Sequence, residues 1–201
     1  MNLPLSTFDF RLSTRASRGF TLVELMVTIG IFTMMTGVVL SKYGTFDTNA
    51  KFANVSEDIV LALRQAQVYG VGSKAYSAVC GTGSVFTCPY GVYFSTTGNS
   101  AIVFADINTD RVFSAGEDAG LAGAAVNWGT SIVVDSLLCD GGPCALGAAY
   151  VTFNRPNPDA FIANAANQAV SYGVLSIALR DTITGKTATV TIRSSGQISL
   201  Q

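Results

Sequence analysis

The chain has 201 residues, of which 49% are hydrophobic and 12% are charged, and it contains no histidine. Its 12 basic and 13 acidic side chains nearly balance, so the composition lacks the excess of Lys and Arg with which proteins bind the phosphate backbone, and DNA is not favoured as a partner. Without histidine, a serine or cysteine nucleophile lacks its usual general base, and the sequence does not predict an enzyme.

A short basic segment opens the chain and is followed by a long apolar run. Residues 1–19 carry Arg11, Arg15 and Arg18 and end in the small residue Gly19. Residues 20–41 are long enough, as a helix, to cross the roughly 30 Å core of a bilayer. The arginines predict a cytoplasmic N-terminus and an external C-terminal part. We therefore expect a leader at 1–19 and a single membrane-spanning segment at 20–41.

Two other signals could contain such an apolar run. An ordinary secretory signal places its small-residue cleavage site after the apolar stretch, whereas Gly19 precedes it here. An ordinary signal anchor remains an alternative, but it has no reason to carry a carboxylate such as Glu24. An acidic residue at membrane depth is costly and usually indicates function.

The residues around this junction resemble the type III signal sequence of type IV pilins and type II secretion pseudopilins. They read Arg18-Gly19-Phe20-Thr21-Leu22-Val23-Glu24-Leu25-Met26-Val27. The resemblance implies cleavage between Gly19 and Phe20 by a prepilin peptidase and N-methylation of Phe20. It also implies assembly at an inner-membrane platform, in contact with membrane lipid and with other pilin or pseudopilin subunits. In that assembly, Glu24 would neutralise the N-terminal ammonium of a neighbouring subunit.

The helix is predicted to continue through residues 42–72 as an amphipathic, periplasmic half. Its apolar residues recur at steps of three and four, with charged residues between them, and glycines 70 and 72 supply a stop. The stripe is expected to pack on the following domain. It comprises Phe52, Val55, Ile59, Leu63, Ala66 and Tyr69.

Residues 73–201 change to short β-branched and aromatic runs separated by Gly, Asn and Ser, which predicts a β-rich periplasmic domain. The last three strands are expected to form a meander through Thr184-Gly185 and Ser194-Ser195-Gly196. The predicted fold is therefore α+β and pilin-like, with one long N-terminal membrane-spanning helix packed on an antiparallel β domain. Strands are predicted at 74–80, 90–95, 101–105, 131–137, 149–153, 170–180, 186–192 and 197–200.

Four cysteines fall into two local pairs, Cys80 with Cys88 and Cys139 with Cys144. An even, locally paired set predicts disulfides in an oxidising compartment. Free thiols in the core are an alternative, and a metal site is disfavoured because C-x₂-C spacings and histidine are both missing. The sequence permits three pairings, of which the local one closes short loops worth roughly 2–3 kcal/mol each.

Two later segments are similar to the GspH/FimT family of minor pseudopilins. They are Ala62-Leu63-Arg64-Gln65-Ala66-Gln67 and the closing stretch from Val190 to Ile198. The resemblance implies a structural minor subunit of a type II secretion pseudopilus or type IV pilus. Alternatives are a major pilin or a tip-displayed binding module, either an adhesin or a DNA-uptake receptor. Members implicated in DNA uptake use basic residues near the C-terminal hairpin, where this chain has Arg193 but then Gln197.

A polar loop at 106–118 follows the calcium-loop template D-x-[DN]-x-[DN]-G-x₅-E at its first, third, fifth and twelfth positions. The chain has Arg111 where the template has glycine. The alternative is a polar hairpin turn without an ion. No cofactor is required, but a structural calcium is possible on this pattern. Its expected ligands are Asp106, Asn108, Asp110, the Val112 carbonyl and Glu117, with Ser114 available for a side-chain or water contact.

Overall fold

The computed structural model describes residues 19–72, 74–81, 83–118, 121 and 125–201. Residues 1–18 of the predicted leader, including its three arginines, lie outside the described residues. Contacts divide the chain into two units, one ending at Gly44 and the other running from Thr45 to Gln201.

The first unit consists, in its described part, of the start of helix α1, which spans Leu22–Val71. Large apolar side chains along this part are exposed, among them Phe32, Met34 and Leu40. The helix contains an 18-residue window of mean hydropathy 2.0, none of it buried within the protein. By length and composition this helix is suited to crossing a membrane.

In the second unit, α1 buries the predicted stripe. Phe52, Ile59 and Leu63 are buried, whereas Glu57, between Phe52 and Ile59, and Arg64, directly after Leu63, are exposed. This division is the amphipathic pattern expected of a helix that packs on a domain through one face. The helix ends at Val71, between the two glycines predicted to stop it.

In the described residues of the second unit, ten strands form two antiparallel five-stranded sheets. Sheet 1 has the order β3-β2-β1-β6-β7, and sheet 2 has the order β10-β9-β8-β4-β5. The strands are β1 Tyr90–Ser95, β2 Ser100–Ala105, β3 Ala125–Asn127, β4 Ile132–Cys139, β5 Gly142–Pro143, β6 Ala148–Phe153, β7 Ala160–Asn164, β8 Val174–Asp181, β9 Thr187–Arg193 and β10 Ile198–Leu200.

One hydrophobic core joins the helix and both sheets. It includes Leu63 from α1, Val92 and Val151 from sheet 1, and Ile177 and Ile192 from sheet 2, all fully buried. Along β8, buried and half-buried residues alternate, because successive side chains of a strand point to opposite faces. The α+β prediction is confirmed, as is the closing β8-β9-β10 meander.

Several strand predictions need correction. The strand predicted at 74–80 is absent: in the described residues of this segment, the Tyr76 amide bonds to the Val85 carbonyl without forming a ladder. The strand predicted at 170–180 begins at Val174. Strand β7 and the short β3 and β5 were not predicted. Strand β7 follows a proline-rich turn at 155–158, which obscured it.

Gly70 lies where the end of α1 meets sheet 1. A Cβ atom there would be 2.5 Å from the carbonyl oxygen of Phe153 and 2.9 Å from its carbonyl carbon. Both are backbone atoms that cannot rotate away, so Gly70→Ala is expected to destabilise the protein by about 1–3 kcal/mol.

Gly44→Ala is the matched control, since it is also a helical glycine but has nothing within 4 Å of the added Cβ. Urea unfolding of the full-length protein in detergent measures both changes. Equal midpoints for wild type and Gly70→Ala would contradict the close approach.

Candidate functional sites

The first site is the start of α1. The Glu24 amide donates a hydrogen bond to the Thr21 hydroxyl at 3.2 Å, and the Leu25 amide donates to the Thr21 carbonyl at 3.1 Å. Thr21 therefore caps the helix, and Thr-x-x-Glu is the sequence signature of a capping box. Sequence reasoning singled out Glu24 but missed Thr21, which that signature could have identified.

The Glu24 carboxylate differs from the other polar groups of this apolar segment. The hydroxyls of Thr28, Thr33 and Thr36 each donate to a carbonyl one turn earlier, at 2.8–3.0 Å. Glu24 is exposed, and its carboxylate has neither a hydrogen bond nor an ion pair with any described residue. Its neighbours Leu22 and Leu25 present exposed apolar side chains. The helix thus places one unpaired acid on an apolar surface, where an intermolecular partner could reach it.

The second site is the loop at 106–118, which begins directly after β2. Asp106 is fully buried, and its two carboxylate oxygens accept hydrogen bonds from the amides of Asp110 at 3.1 Å and Arg111 at 3.0 Å. Glu117 is also buried and accepts from the amides of Ile107 at 3.1 Å and Ser114 at 2.7 Å. Two buried carboxylates therefore organise the backbone of this loop.

The remaining template positions lie at the exposed side of the loop. Asp110 accepts from the Val112 amide at 2.9 Å and from the Asn108 side-chain amide at 2.9 Å. Arg111 has φ +66°, so the sharp turn forms at the position where the calcium-loop template has glycine. The departure from the template therefore does not prevent the turn, although a non-glycine residue is strained there by roughly 1–2 kcal/mol.

The electrostatics of the loop follow from burial without a compensating cation. The pKa of Asp106 is raised to about 6, chiefly by burial and also by the nearby charges of Glu117 and Asp110, against the backbone amides that lower it. Burial likewise raises the pKa of Glu117, and Asp110 adds to the rise. A bound cation would favour the charged forms of all three groups.

The structure brings Asp106, Asp110 and Glu117 into one hydrogen-bonded loop, in which each carboxylate accepts at least one backbone amide. Within the described ranges, no three Asp, Glu or Cys side chains are grouped closely enough to hold a metal ion. The donor types nevertheless fit calcium, which takes carboxylate, amide and backbone oxygens.

Aromatic rings and a disulfide fix the loop in place. Phe113 stacks on Tyr93 of sheet 1 with 5.6 Å between ring centroids. Cys80 pairs with Cys88, and the Gly81 amide inside that disulfide loop donates to the Ile107 carbonyl at 2.8 Å. The second disulfide joins Cys139 to Cys144. Of the three pairings open from sequence, the structure has the local one.

Comparison with protein families found a match to the family described as Prokaryotic N-terminal methylation motif, over residues 14–40. This range includes the predicted Gly19–Phe20 cleavage position, Glu24 and most of the apolar segment. Comparisons with curated proteins and with solved structures gave no match.

The motif, the apolar helix and the antiparallel sheets together support one class of protein, the type IV pilin-like proteins. More particularly, the motif supports a subunit of a pilus or pseudopilus that assembles with other pilin subunits and is processed by a prepilin peptidase. The motif and the helix fit a single-pass inner-membrane protein.

Proposed function

We propose that the protein is a structural minor pilin or pseudopilin of the GspH/FimT type, built into a type IV pilus or type II secretion pseudopilus through its N-terminal helix. The observation that carries this proposal is Glu24. It is an unpaired carboxylate in the first turn of an exposed apolar helix, inside the matched methylation motif. At membrane depth an unpaired carboxylate is costly, and pairing with a cationic partner would stabilise it strongly.

The proposed assembly step uses the new N-terminus. Cleavage between Gly19 and Phe20 exposes an ammonium group on Phe20, which is then methylated. In the apolar helix bundle of a filament, this ammonium pairs with Glu24 of a neighbouring subunit. Pairing removes two uncompensated charges at once, and it fixes the axial register between adjacent helices.

In this proposal, the β domain lies in the periplasm and the leader lies in the cytoplasm. The two disulfides support this orientation, because disulfides persist in oxidising compartments such as the periplasm. The three leader arginines agree with it, since basic residues favour the cytoplasmic side of a membrane.

A gene deletion tests the structural role against its alternatives. If the subunit initiates assembly, its loss abolishes surface filaments or secretion through the pseudopilus, and sheared wild-type filaments contain far less of it than of their main subunit. Normal filaments that lack adhesion would favour a tip-displayed binding module, and an abundance equal to the main component would favour a major pilin. Quantitative immunoblotting of sheared material measures the amount of filament and the abundance of this subunit in it.

We also propose that the loop at 106–118 binds one structural calcium ion through Asp106, Asn108, Asp110, the Val112 carbonyl and Glu117. Two buried carboxylates and a third acid nearby, none paired with a cationic side chain in the described structure, support this proposal. Because these three acids are not grouped around a common point in the described structure, binding would have to draw them together around the ion. The ion would stabilise the loop rather than act in catalysis.

A further inference from the structure

A cavity of about 300 Å³ lies where three segments of the second unit meet. The disulfide loop contributes Thr87, the 106–118 loop contributes Asp106 and Arg111, and the β6–β7 hairpin contributes Thr152 and Asp159. The volume falls at the lower end of the range of small-molecule sites, which combine a shaped cleft with a few placed polar groups.

Thr152 supplies one of the polar groups that line the cavity. Its neighbours in β6, Val151 and Phe153, belong to the core, so Thr152 points to the opposite face of sheet 1. Only 4% of the residue is exposed. Its hydroxyl makes no hydrogen bond to another described residue, and it is not one of the described polar atoms that are closed off from solvent without a partner. A Cβ at Gly91 would lie 2.8 Å from the Thr152 methyl group, so the methyl leans toward β1 and the hydroxyl faces away from that strand.

The remaining exposed surface of the Thr152 hydroxyl therefore faces the cavity that Thr152 lines. A hydroxyl can both donate and accept a hydrogen bond, so a ligand that enters the cavity with a hydroxyl of its own could pair with it.

Arg111 and Asp159 add free charged groups to the same walls. The Arg111 guanidinium lies over the Phe161 ring, 3.8 Å from its centroid. Neither Arg111 nor Asp159 forms an ion pair or a side-chain hydrogen bond with another described residue, although both line the cavity. The cavity therefore offers up to five N–H donors from Arg111 and two acceptor oxygens from Asp159.

We propose that this cavity binds a neutral saccharide. Sugar hydroxyls both donate and accept hydrogen bonds, so one small ring can satisfy Arg111, Asp159 and Thr152 together. Arg111 and Asp159 carry opposite charges, so neither a simple anion nor a simple cation can pair with both of them, whereas a neutral molecule with several hydroxyls can form hydrogen bonds with both. The cavity walls are preorganised before a ligand binds, since the Gly81–Ile107 hydrogen bond links the disulfide loop to the 106–118 loop. Preorganisation of this kind favours binding.

Saccharide binding is a function additional to incorporation into a filament, and it can be tested independently of assembly. Full-length protein in nanodiscs is examined by saturation-transfer NMR against D-glucose, D-galactose, D-mannose and N-acetyl-D-glucosamine, with glycine as a zwitterionic comparison. At least one sugar is expected to bind saturably. Thr152→Val, which keeps the shape and removes the hydroxyl, is expected to weaken that binding about three- to tenfold, the effect of losing one hydrogen bond.

Asp159→Asn is a second variant, on an exposed residue whose change leaves folding intact, and it is expected to weaken binding to a similar extent. Thr189→Val, on β9 of the other sheet, is the matched control and should bind like wild type. The proposal is overturned if none of the four sugars binds at millimolar concentration, if glycine binds in their place, or if Asp159→Asn and a folded Thr152→Val both retain full affinity.

Discussion

A Glu24→Val variant is expected to remain in the inner membrane and to be lost from filaments. Valine keeps the segment apolar, so insertion through α1 is not impaired. The variant removes the carboxylate that is proposed to pair with a neighbour's N-terminal ammonium. Leaving that ammonium unpaired in a low-dielectric bundle costs several kcal/mol, so incorporation should fall by at least about tenfold, which corresponds to 1.4 kcal/mol.

The ratio of subunit in sheared filaments to subunit in membranes measures this effect. Thr28→Val is the matched control, because Thr28 lies one turn along the same apolar segment and its hydroxyl bonds only to the Leu25 carbonyl. It should incorporate like wild type. Wild-type amounts of Glu24→Val in sheared filaments would show that the carboxylate has no part in assembly.

Calcium is expected to raise the melting temperature at neutral pH. One ion at a hundredfold excess over its Kd stabilises by about 2.7 kcal/mol, which corresponds to a rise of about 5–10 °C in a protein of this size. Asp110→Asn removes one ligand charge and should reduce the shift. Asp118→Asn, in the same loop but outside the ligand template, should leave it unchanged. Differential scanning calorimetry in calcium and in chelator makes the comparison.

The pH dependence gives the same site a second test. The folded-state pKa of Asp106, about 6, is raised above its ordinary value of 3.8. Asp106 therefore contributes most to stability when protonated, below pH 4, and this contribution is lost as pH rises through 6. Without calcium the loss amounts to about 3 kcal/mol at neutral pH.

Because calcium needs the ionised carboxylates, its stabilising effect should be large at pH 7.5 and small at pH 5. Identical melting temperatures in calcium and in chelator at both pH values would show that the loop binds no stabilising calcium ion.

Much of the architecture could be predicted because it depends on local periodicity. The three- and four-residue spacing of Phe52, Ile59 and Leu63 predicts the buried face of α1, and the turns at Gly185 and Gly196 predict the closing meander. The prediction of a strand at 74–80 was wrong because a tertiary contact determines the conformation of this segment. Tyr76 is buried there and its hydroxyl donates to the Gly116 carbonyl, so the segment packs on the 106–118 loop instead of joining a sheet.

The candidate sites divide in the same way. Glu24 and the acids of the 106–118 loop lie within short motifs, so spacing alone could identify them as candidates, and their roles in assembly and calcium binding stay predictions. The cavity could not, because Thr87, Arg111, Thr152 and Asp159 are distant in sequence and meet only when the disulfide loop and the 106–118 loop fold over sheet 1. Thr152 has no local signal at all, since a threonine in a strand is ordinary.

The most direct test of the central claim is the mass of the N-terminal peptide from subunits in sheared filaments. If the protein is a processed pilin-like subunit, the peptide begins at Phe20 and carries one added methyl group on its α-amine. A peptide that begins at Met1, or one that begins after the apolar helix as an ordinary signal peptidase would leave it, would contradict assembly through the N-terminal helix.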